Sequence, residues 1–429
     1  MSDDKFDAIV VGAGVAGCVA AYVMANAGLN VLVIERGNFA GSKNMTGGRL
    51  YAHSLEKIMP GFAQQAPIER KVTHEKISFL TDDSAVTIDY QAEQHSSPMQ
   101  QSYTVLRSKF DQWLMSQAEA AGAQFIAGIL VDELVIKEGR VIGIKAGEDI
   151  IEASVTILAE GVNALLSQSI GKGLDSSPGN LAIGVKELIE LPQQQLEDRF
   201  NLVNGEGTAW LFAGSPSNGL TGGGYLYTNQ NSISLGIVCS LGEIEKSNKT
   251  VPQMLEDFKN HPTIRPLIQG GKLLEYSAHM VAEGGLNGVS ELNGNGFLII
   301  GDAAGLSLNL GFTIRGMDLA IASAEAAAQT VVMAKQKNDF SQTALSHYRT
   351  RLEESFVLKD MALYKKLPAQ LENSRLFNQY PRMMADIMHD MFTINGQPAQ
   401  PMLGKLLKQA KTVGLINLTK DIIKGVRAL

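Results

Sequence analysis

The residues best able to do chemistry in this chain gather in two glycine-rich stretches. The first, VVGAGVAGC, spaces Gly12, Gly14 and Gly17 as Gly-x-Gly-x-x-Gly. The second, GDAAGLSLNLGFTIRG, runs from Gly301 to Gly316 and sets Asp302 directly after an apolar run. Glycines at such spacing let backbone N–H groups approach an anion closely, and a carboxylate at a strand end can accept hydrogen bonds from hydroxyls. Other chemistries find little support. The histidines (His53, His74, His95, His261, His279, His347 and His389) show no metal-ligand spacing, and none is named as catalytic; His53 and His279 are expected to be structural. Cys18 and Cys239 are the only cysteines, fewer than an iron–sulfur cluster takes. Both are expected to be small buried hydrophobes.

The elements around the first cluster give it meaning. DAIVV, ending at Val11, is an apolar run suited to a buried parallel strand, and the alanine-rich CVAAYVMANA that follows predicts a helix stopping near Gly28. A second apolar run, Leu29 to Ile34, ends at Glu35. Strand, glycines, helix, strand and terminal acid together form a dinucleotide-binding fingerprint. Gly12 would make the tight turn, Gly14 the approach to a pyrophosphate, and Gly17 the close packing of helix on sheet. Glu35 would accept hydrogen bonds from ribose hydroxyls and repel a 2′-phosphate, disfavouring NADP. The fingerprint alone does not separate FAD from NAD.

The second cluster repeats the device: the strand-like FLII (Phe297–Ile300), a glycine turn, and the alanine-rich helix MDLAIASAEAAAQTVV. The GD motif resembles that of glutathione-reductase-like flavoproteins. By that resemblance Asp302 contacts the ribityl chain of FAD, and backbone N–H groups of the following segment, which includes Gly311 and Phe312, face the isoalloxazine. Both clusters would then hold one extended cofactor. VLRSKFDQWL, from Val105 to Leu114, resembles an R-x-x-F/L-D-x-x-L pattern of the p-hydroxybenzoate-hydroxylase-like branch, which puts Arg107 near the FAD phosphates and ribose. Glu160-Gly161 stands where that branch has Asp-Gly, so Glu160 is given no cofactor role.

The organisation expected is α/β, with a discontinuous FAD-binding Rossmann domain of glutathione-reductase-like type (1–75, 105–165 and 285–335). A β-rich inserted second domain (76–104 and 166–284) would cover the flavin side, and a helical C-terminal region (336–429) would follow. Residues 76–104 read as a hairpin. KEGR and AGED mark turns between short strands before Val155–Ala159. The run Thr221-Gly222-Gly223-Gly224-Tyr225 permits either close backbone approach to a ring or substrate, or a hairpin turn. The last stretch sets Lys405, Lys408, Lys411, Lys420, Lys424 and Arg427 against Asp421. Such a cationic amphipathic segment suits an anionic lipid surface or an acidic partner, or equally a solvated helix face. A net charge of -7 and a pI near 5.6 argue against nucleic acid as a partner. The acidic start MSDDKFD offers no basic leader, and no apolar run is long enough to span a bilayer. A cytoplasmic protein is expected, with peripheral membrane attachment left open.

Taken together, VVGAGVAGCVAA, VIERGNFAGSKNMTGGRLYAHSLE, VLRSKFDQWL, GVKELIEL, GGGYLYTN and GDAAGLSLNLGFTIRGMDLAIA resemble the electron-transfer-flavoprotein–quinone oxidoreductases, and within them the FixC group. The resemblance spans essentially the whole chain. It implies an FAD flavoprotein that relays electrons from an electron-transfer flavoprotein to quinone, with a separate ferredoxin-like protein as a further partner, because the cluster-binding cysteines of the longer members are missing. It adds Arg36 and Gly48 to the cofactor-binding set of Gly12, Gly14, Gly17, Glu35, Arg107, Gly301, Asp302, Gly311 and Phe312. The rival readings are a flavin-dependent monooxygenase or double-bond reductase using NAD(P)H, and a flavin-bearing docking scaffold. Gly305 and Asn309, where hydroxylases show His and Pro, count against the first rival.

Overall fold

In the computed structural model, which describes residues 5–44, 47–92, 97–289 and 291–428, the N-terminal apolar runs form the centre of a parallel sheet. β1 (Phe6–Val11) and β2 (Val31–Glu35) pair in parallel, with Val11 opposite Ile34, and α1 (Val15–Asn26) connects them. β1 pairs on its other edge with Asp149–Leu158, which in turn pairs with Phe297–Ile299; Gln124–Ala127 lies beyond β2. Ala8, Ile9, Val10 and Val31 through Ile34 are buried whichever face they point to, as uninterrupted apolar runs require. The turns expected at KEGR and AGED join Glu133–Lys137, Arg140–Ala146 and Asp149–Leu158 into an antiparallel extension of this sheet.

α1 is buried on several sides. It packs against the helix Arg107–Ala120 and the long helix Met317–Lys337. Small residues make this approach feasible: Ala16, Gly17, Ala20 and Ala21 are all buried. A Cβ on Gly17 would sit 1.9 Å from the Gly12 carbonyl oxygen, so the glycine turn and its helix are in direct backbone contact. A Cβ on Gly301 would lie 3.1 Å from the Ala16 Cβ. The two glycine clusters, far apart in sequence, therefore meet at one place. Cys18 and Cys239 are both fully buried.

The second sheet is mixed. Its strands run in the order Lys272–Ala282, Leu181–Glu190, Ser232–Ser240, Gly222–Thr228, Glu206–Gly214, Ile68–Leu80, Ser102–Val105, Gly48–Tyr51. Glu206–Gly214 lies parallel to Ile68–Leu80, and the other neighbours are antiparallel. Ala85–Gln91 folds back on Ile68–Leu80 as a hairpin. The sheet thus recruits Gly48–Tyr51, soon after β2, and a line at residue 75 passes through the strand Ile68–Leu80. Gly222, Gly223 and Gly224 lie inside a strand paired on both sides, not at a turn or against the large cavity described below. A Cβ on Gly222 would lie 2.0 Å from the Val238 carbonyl oxygen, and one on Gly224 would lie 2.7 Å from the Phe258 ring. These glycines therefore serve sheet packing.

The C-terminal region is helical. Its first part joins the N-terminal core: Tyr348 is fully buried and donates its hydroxyl to the Ile299 carbonyl at 3.0 Å. The helices Gln379–Phe392, Met402–Val413 and Leu415–Val426 follow. Asp421, the acid within the basic tail, accepts two bonds from Arg375 (2.7 and 2.8 Å) and one from Tyr380 (2.6 Å). The tail is thus bolted to the body, while Phe392, Ile394, Leu403, Ile416 and Ile422 remain exposed.

Gly17→Val should cost about 1–3 kcal/mol, because the added side chain meets backbone that cannot rotate away. Urea unfolding would show it as a lower midpoint; an unchanged midpoint would mean the Gly12–Gly17 contact relaxes freely.

Candidate functional site

Gly12 leaves β1 with φ +102°, and a Cβ there would sit 2.4 Å from the Ala159 carbonyl oxygen. Only glycine fits both demands. The turn delivers the chain to the N-terminus of α1, where Gly14 is the extended cap, no side chain caps the end and no acid stands in the first turn. That end opens on a cavity of about 540 Å³. Glu35 closes the turn from β2: one carboxylate oxygen accepts the Ala13 N–H at 2.9 Å, the other the Gly37 N–H at 2.7 Å.

Arg107 begins the helix that flanks α1 and also faces this cavity. Its Nε and Nη2 each donate to the fully buried Asp111 at 2.7 Å, and Asn44 donates to the same carboxylate at 2.7 Å. Burial works against the guanidinium charge, but Asp111 outweighs it and holds Arg107 above its ordinary value. Asp302 faces the cavity from the second glycine turn. Burial raises its carboxyl above the usual range, with Arg107 and His279 pulling the other way. Its carboxylate makes no hydrogen bond among the described residues.

Of the residues singled out in the sequence, Gly12, Gly14, Glu35, Arg36, Gly48, Arg107 and Asp302 line this one cavity. Gly17 and Gly301 stand behind it as packing positions. Gly311 and Phe312 are exposed on the loop between Leu308–Asn309 and Ile314–Arg315; Phe312 borders a second cavity of about 300 Å³. The two cavities share Arg49, Tyr227 and Ile314 as common wall. Met45 and Thr46 of the GSKNMTGGRLY segment, and His95, lie outside the described residues.

Glu160 also lines the large cavity, but its carboxylate is engaged at home: it accepts the Leu166 N–H (2.7 Å), the Ser167 N–H (3.0 Å) and the Ser167 hydroxyl (2.7 Å). Its place is to start the short turn Leu165–Ser169. His279, read from sequence as structural, forms part of the cavity wall; burial lowers its imidazole, against Asp302. His53 instead binds Asp318 at 3.1 Å, at the start of the helix Met317–Lys337. Sequence reasoning missed Asp111, Glu283 and Lys186. The i, i+4 spacing of Arg107 and Asp111 was a usable signal. Lys186 is buried and donates to the Gly47 carbonyl at 2.9 Å; nothing in its neighbourhood of sequence announces this.

An uncapped helix N-terminus beside a guanidinium suits a pyrophosphate. Carboxylates at Glu35 and Asp302 suit sugar and ribityl hydroxyls. The donor set fits FAD, and the fold and site define an FAD-dependent oxidoreductase of α/β architecture with mixed sheets and a helical C-terminal region. Comparison with known proteins agrees. Residues 7–93 match the FAD dependent oxidoreductase family, 181–281 the ETF-QO ubiquinone-binding family, and 367–429 the ETF-QO/FixC family C-terminal domain. The chain is 64% identical over 429 residues to the probable electron transfer flavoprotein-quinone oxidoreductase YdiS of Escherichia coli (strain K12), and 58% identical to the protein FixC of Escherichia coli O157:H7, each covering 100% of both chains. Among solved structures, a geranylgeranyl bacteriochlorophyll reductase-like protein from Thermoplasma acidophilum superposes with TM-score 0.72 at 21% identity, covering 97% of this chain and 99% of that one. A flavoprotein/dehydrogenase from Cytophaga hutchinsonii gives 0.64 at 16%, covering 99% of each. The chain belongs to the electron-transfer-flavoprotein–quinone oxidoreductase family, in its FixC group.

Two variants probe the site. Asp302→Ala should keep the fold and lower the flavin retained per chain on purification, read from visible absorbance; full occupancy would remove Asp302 from the cofactor's contacts. Asp111→Ala removes the fully buried carboxylate that aims the half-buried Arg107 and should cost about 1–3 kcal/mol, measured by urea unfolding.

Proposed function

We propose that this chain relays electrons from a reduced electron-transfer flavoprotein through FAD to quinone, with a separate ferredoxin-like protein as a further carrier. The observation that supports the acceptor most directly is the pair of adjoining cavities. The smaller one is walled by Ile77, Ile88, Leu211 and Phe312, and Ile88 and Phe312 are 58% and 45% exposed at its rim. A flat, largely apolar ring with two carbonyl oxygens suits such walls. Arg49, on the shared wall, is tied to Glu75 and donates to Ser102 at 3.0 Å and 3.2 Å. It is thereby kept rigid where the acceptor would meet the cofactor.

The cofactor placement follows the glutathione-reductase-like arrangement. Gly12, Gly14 and Arg107 hold the pyrophosphate, Glu35 and Arg36 the adenosine end, and Asp302 the ribityl chain; Gly17 and Gly301 allow the close packing behind. Gly48 lies beside the ring, and Gly311 and Phe312 bound the ring edge from the quinone side. FAD supplies electron transfer in one- or two-electron steps, so it can join a flavoprotein donor to a two-electron quinone. The protein's part is to bind and orient.

Among the described residues no helix is long and apolar enough to cross a membrane. Contact with a membrane surface would use the exposed apolar residues of the last helices, with Lys408, Lys411, Lys420 and Lys424 nearby for anionic headgroups. Because Asp421 bolts this tail to the body, substitution is a cleaner probe than deletion. Leu403→Glu with Ile416→Glu should reduce flotation with anionic vesicles while flavin content stays constant; unchanged flotation would leave that face as solvated surface.

Anaerobic mixing of the purified flavoprotein with its reduced electron-transfer flavoprotein should bleach the bound FAD, and a short-chain quinone should restore the colour. Bleaching by NAD(P)H alone, with no response to the flavoprotein, would overturn this reading.

A further inference from the structure

Electrons arriving at a buried cofactor bring negative charge, and a nearby proton offsets it. The cavity walls carry several ionisable groups, yet most are committed. Glu35 is fixed by two backbone N–H groups and Glu160 by three donors. Arg107 is locked to Asp111. Tyr225 and Tyr227 are driven far above their ordinary range by burial.

Glu283 differs. It follows the strand Lys272–Ala282, faces the large cavity, and accepts a single neutral hydrogen bond, from the Asn309 side-chain amide at 3.1 Å. Asn309 in turn accepts the Gly311 N–H at 2.8 Å, so the carboxyl is joined to the loop that follows the second glycine turn. The Glu283 N–H is held by the Asn180 carbonyl at 2.8 Å, which fixes its backbone. Burial pushes the Glu283 carboxyl up to about 7, and Asn309 opposes this. The wall also carries His279 from the preceding strand, Asp302 from the Gly301–Ala304 turn, and Arg36, Lys43, Arg49 and Asp132 elsewhere on its lining. Asp302, His279 and Arg107 act on one another, and no charged side chain among the described residues shifts Glu283. A carboxyl without a cation, on a cofactor wall, is a group whose charge the cofactor can set.

We propose that Glu283 is a redox-linked proton site: it takes one proton from solvent when the cofactor gains two electrons, and returns it to solvent when the cofactor loses them. The electrons come from the flavoprotein donor and leave to the acceptor; Glu283 exchanges only the proton. This rests on FAD lying in the large cavity. Below about pH 7 the group is already protonated before reduction, so coupling is absent there. Above that value reduction pulls the proton on, until the pH passes the raised value of the reduced state.

The test is the flavin midpoint potential as a function of pH, by anaerobic dye-linked titration of the holoprotein without donor or quinone. The slope should steepen by about 30 mV per pH unit above about pH 7, the value for one proton per two electrons. Glu283→Gln keeps the acceptor oxygen for Asn309 and should lose that added slope. Asn309→Ala removes the opposing bond and should move the break to higher pH, a shift that a merely structural role would not produce. A wild-type profile with no break, a break that survives Glu283→Gln, or one unmoved by Asn309→Ala would each overturn the proposal. A preparation that binds no flavin would instead refute the placement of the cofactor, and failure of electron exchange with donor or quinone would leave these titrations unaffected.

Discussion

The whole site depends on backbone touching backbone where side chains are missing. Gly17 rests on the Gly12 carbonyl, and Gly301 faces Ala16 at a distance that leaves no room for a larger group. These contacts bring the strand ends of β1 and Phe297–Ile299, and the helices that follow them, to one point. Because α1 and the Met317–Lys337 helix pack through small residues, their N-terminal ends come close enough to serve one ligand from two directions. Larger residues would separate the helices and open the cradle before any cofactor contact was altered.

Charge is managed on the same economical plan. The cavity wall holds carboxylates and cations, and most are immobilised by fixed partners. Glu35 ties the glycine turn to the end of β2, Asp111 aims Arg107 with a two-point contact, and Glu160 caps its own short turn. Each such pairing fixes the carboxylate in place and removes a degree of conformational freedom. What remains adjustable is therefore conspicuous, and it lies toward the loop carrying Asn309 and Gly311. Fixed partners and a loosely held carboxyl thus divide the cavity wall between constancy and adjustability.

Local pattern made the first half of the cradle legible. Apolar runs, glycine spacing and the acid after β2 are neighbours in sequence, and one βαβ unit satisfies all of them. The second glycine turn was legible for the same reason, as was Arg107 through its helix. The β-rich layer was harder. Gly48–Tyr51 pairs with Ser102–Val105, and Ile68–Leu80 with Glu206–Gly214 of the later insertion, and such partners are set by register across long sequence separations, which periodicity does not report. The triple glycine was ambiguous because a glycine in a strand, a turn or a ligand contact looks alike until its neighbours are known; Val238, Phe212 and Phe258 decide it. Glu283 and Lys186 were invisible, since an acid or lysine at a strand or its end is ordinarily solvated. Only the fold shows that these two face inward.

The shared wall between the cavities follows from that interleaving. Arg49 comes from the strand right after the dinucleotide-binding unit, Tyr227 from the inserted sheet, and Ile314 from the loop after the second glycine turn. Three distant segments thus meet at the boundary between the large cavity and its apolar neighbour. Arg49 is fixed there by Glu75 on Ile68–Leu80, across the strand Ser102–Val105 of the same sheet, so this part of the wall keeps its shape as long as that strand order holds. The firmness of this boundary is consequently a property of how distant segments are brought together, more than of any single residue on it.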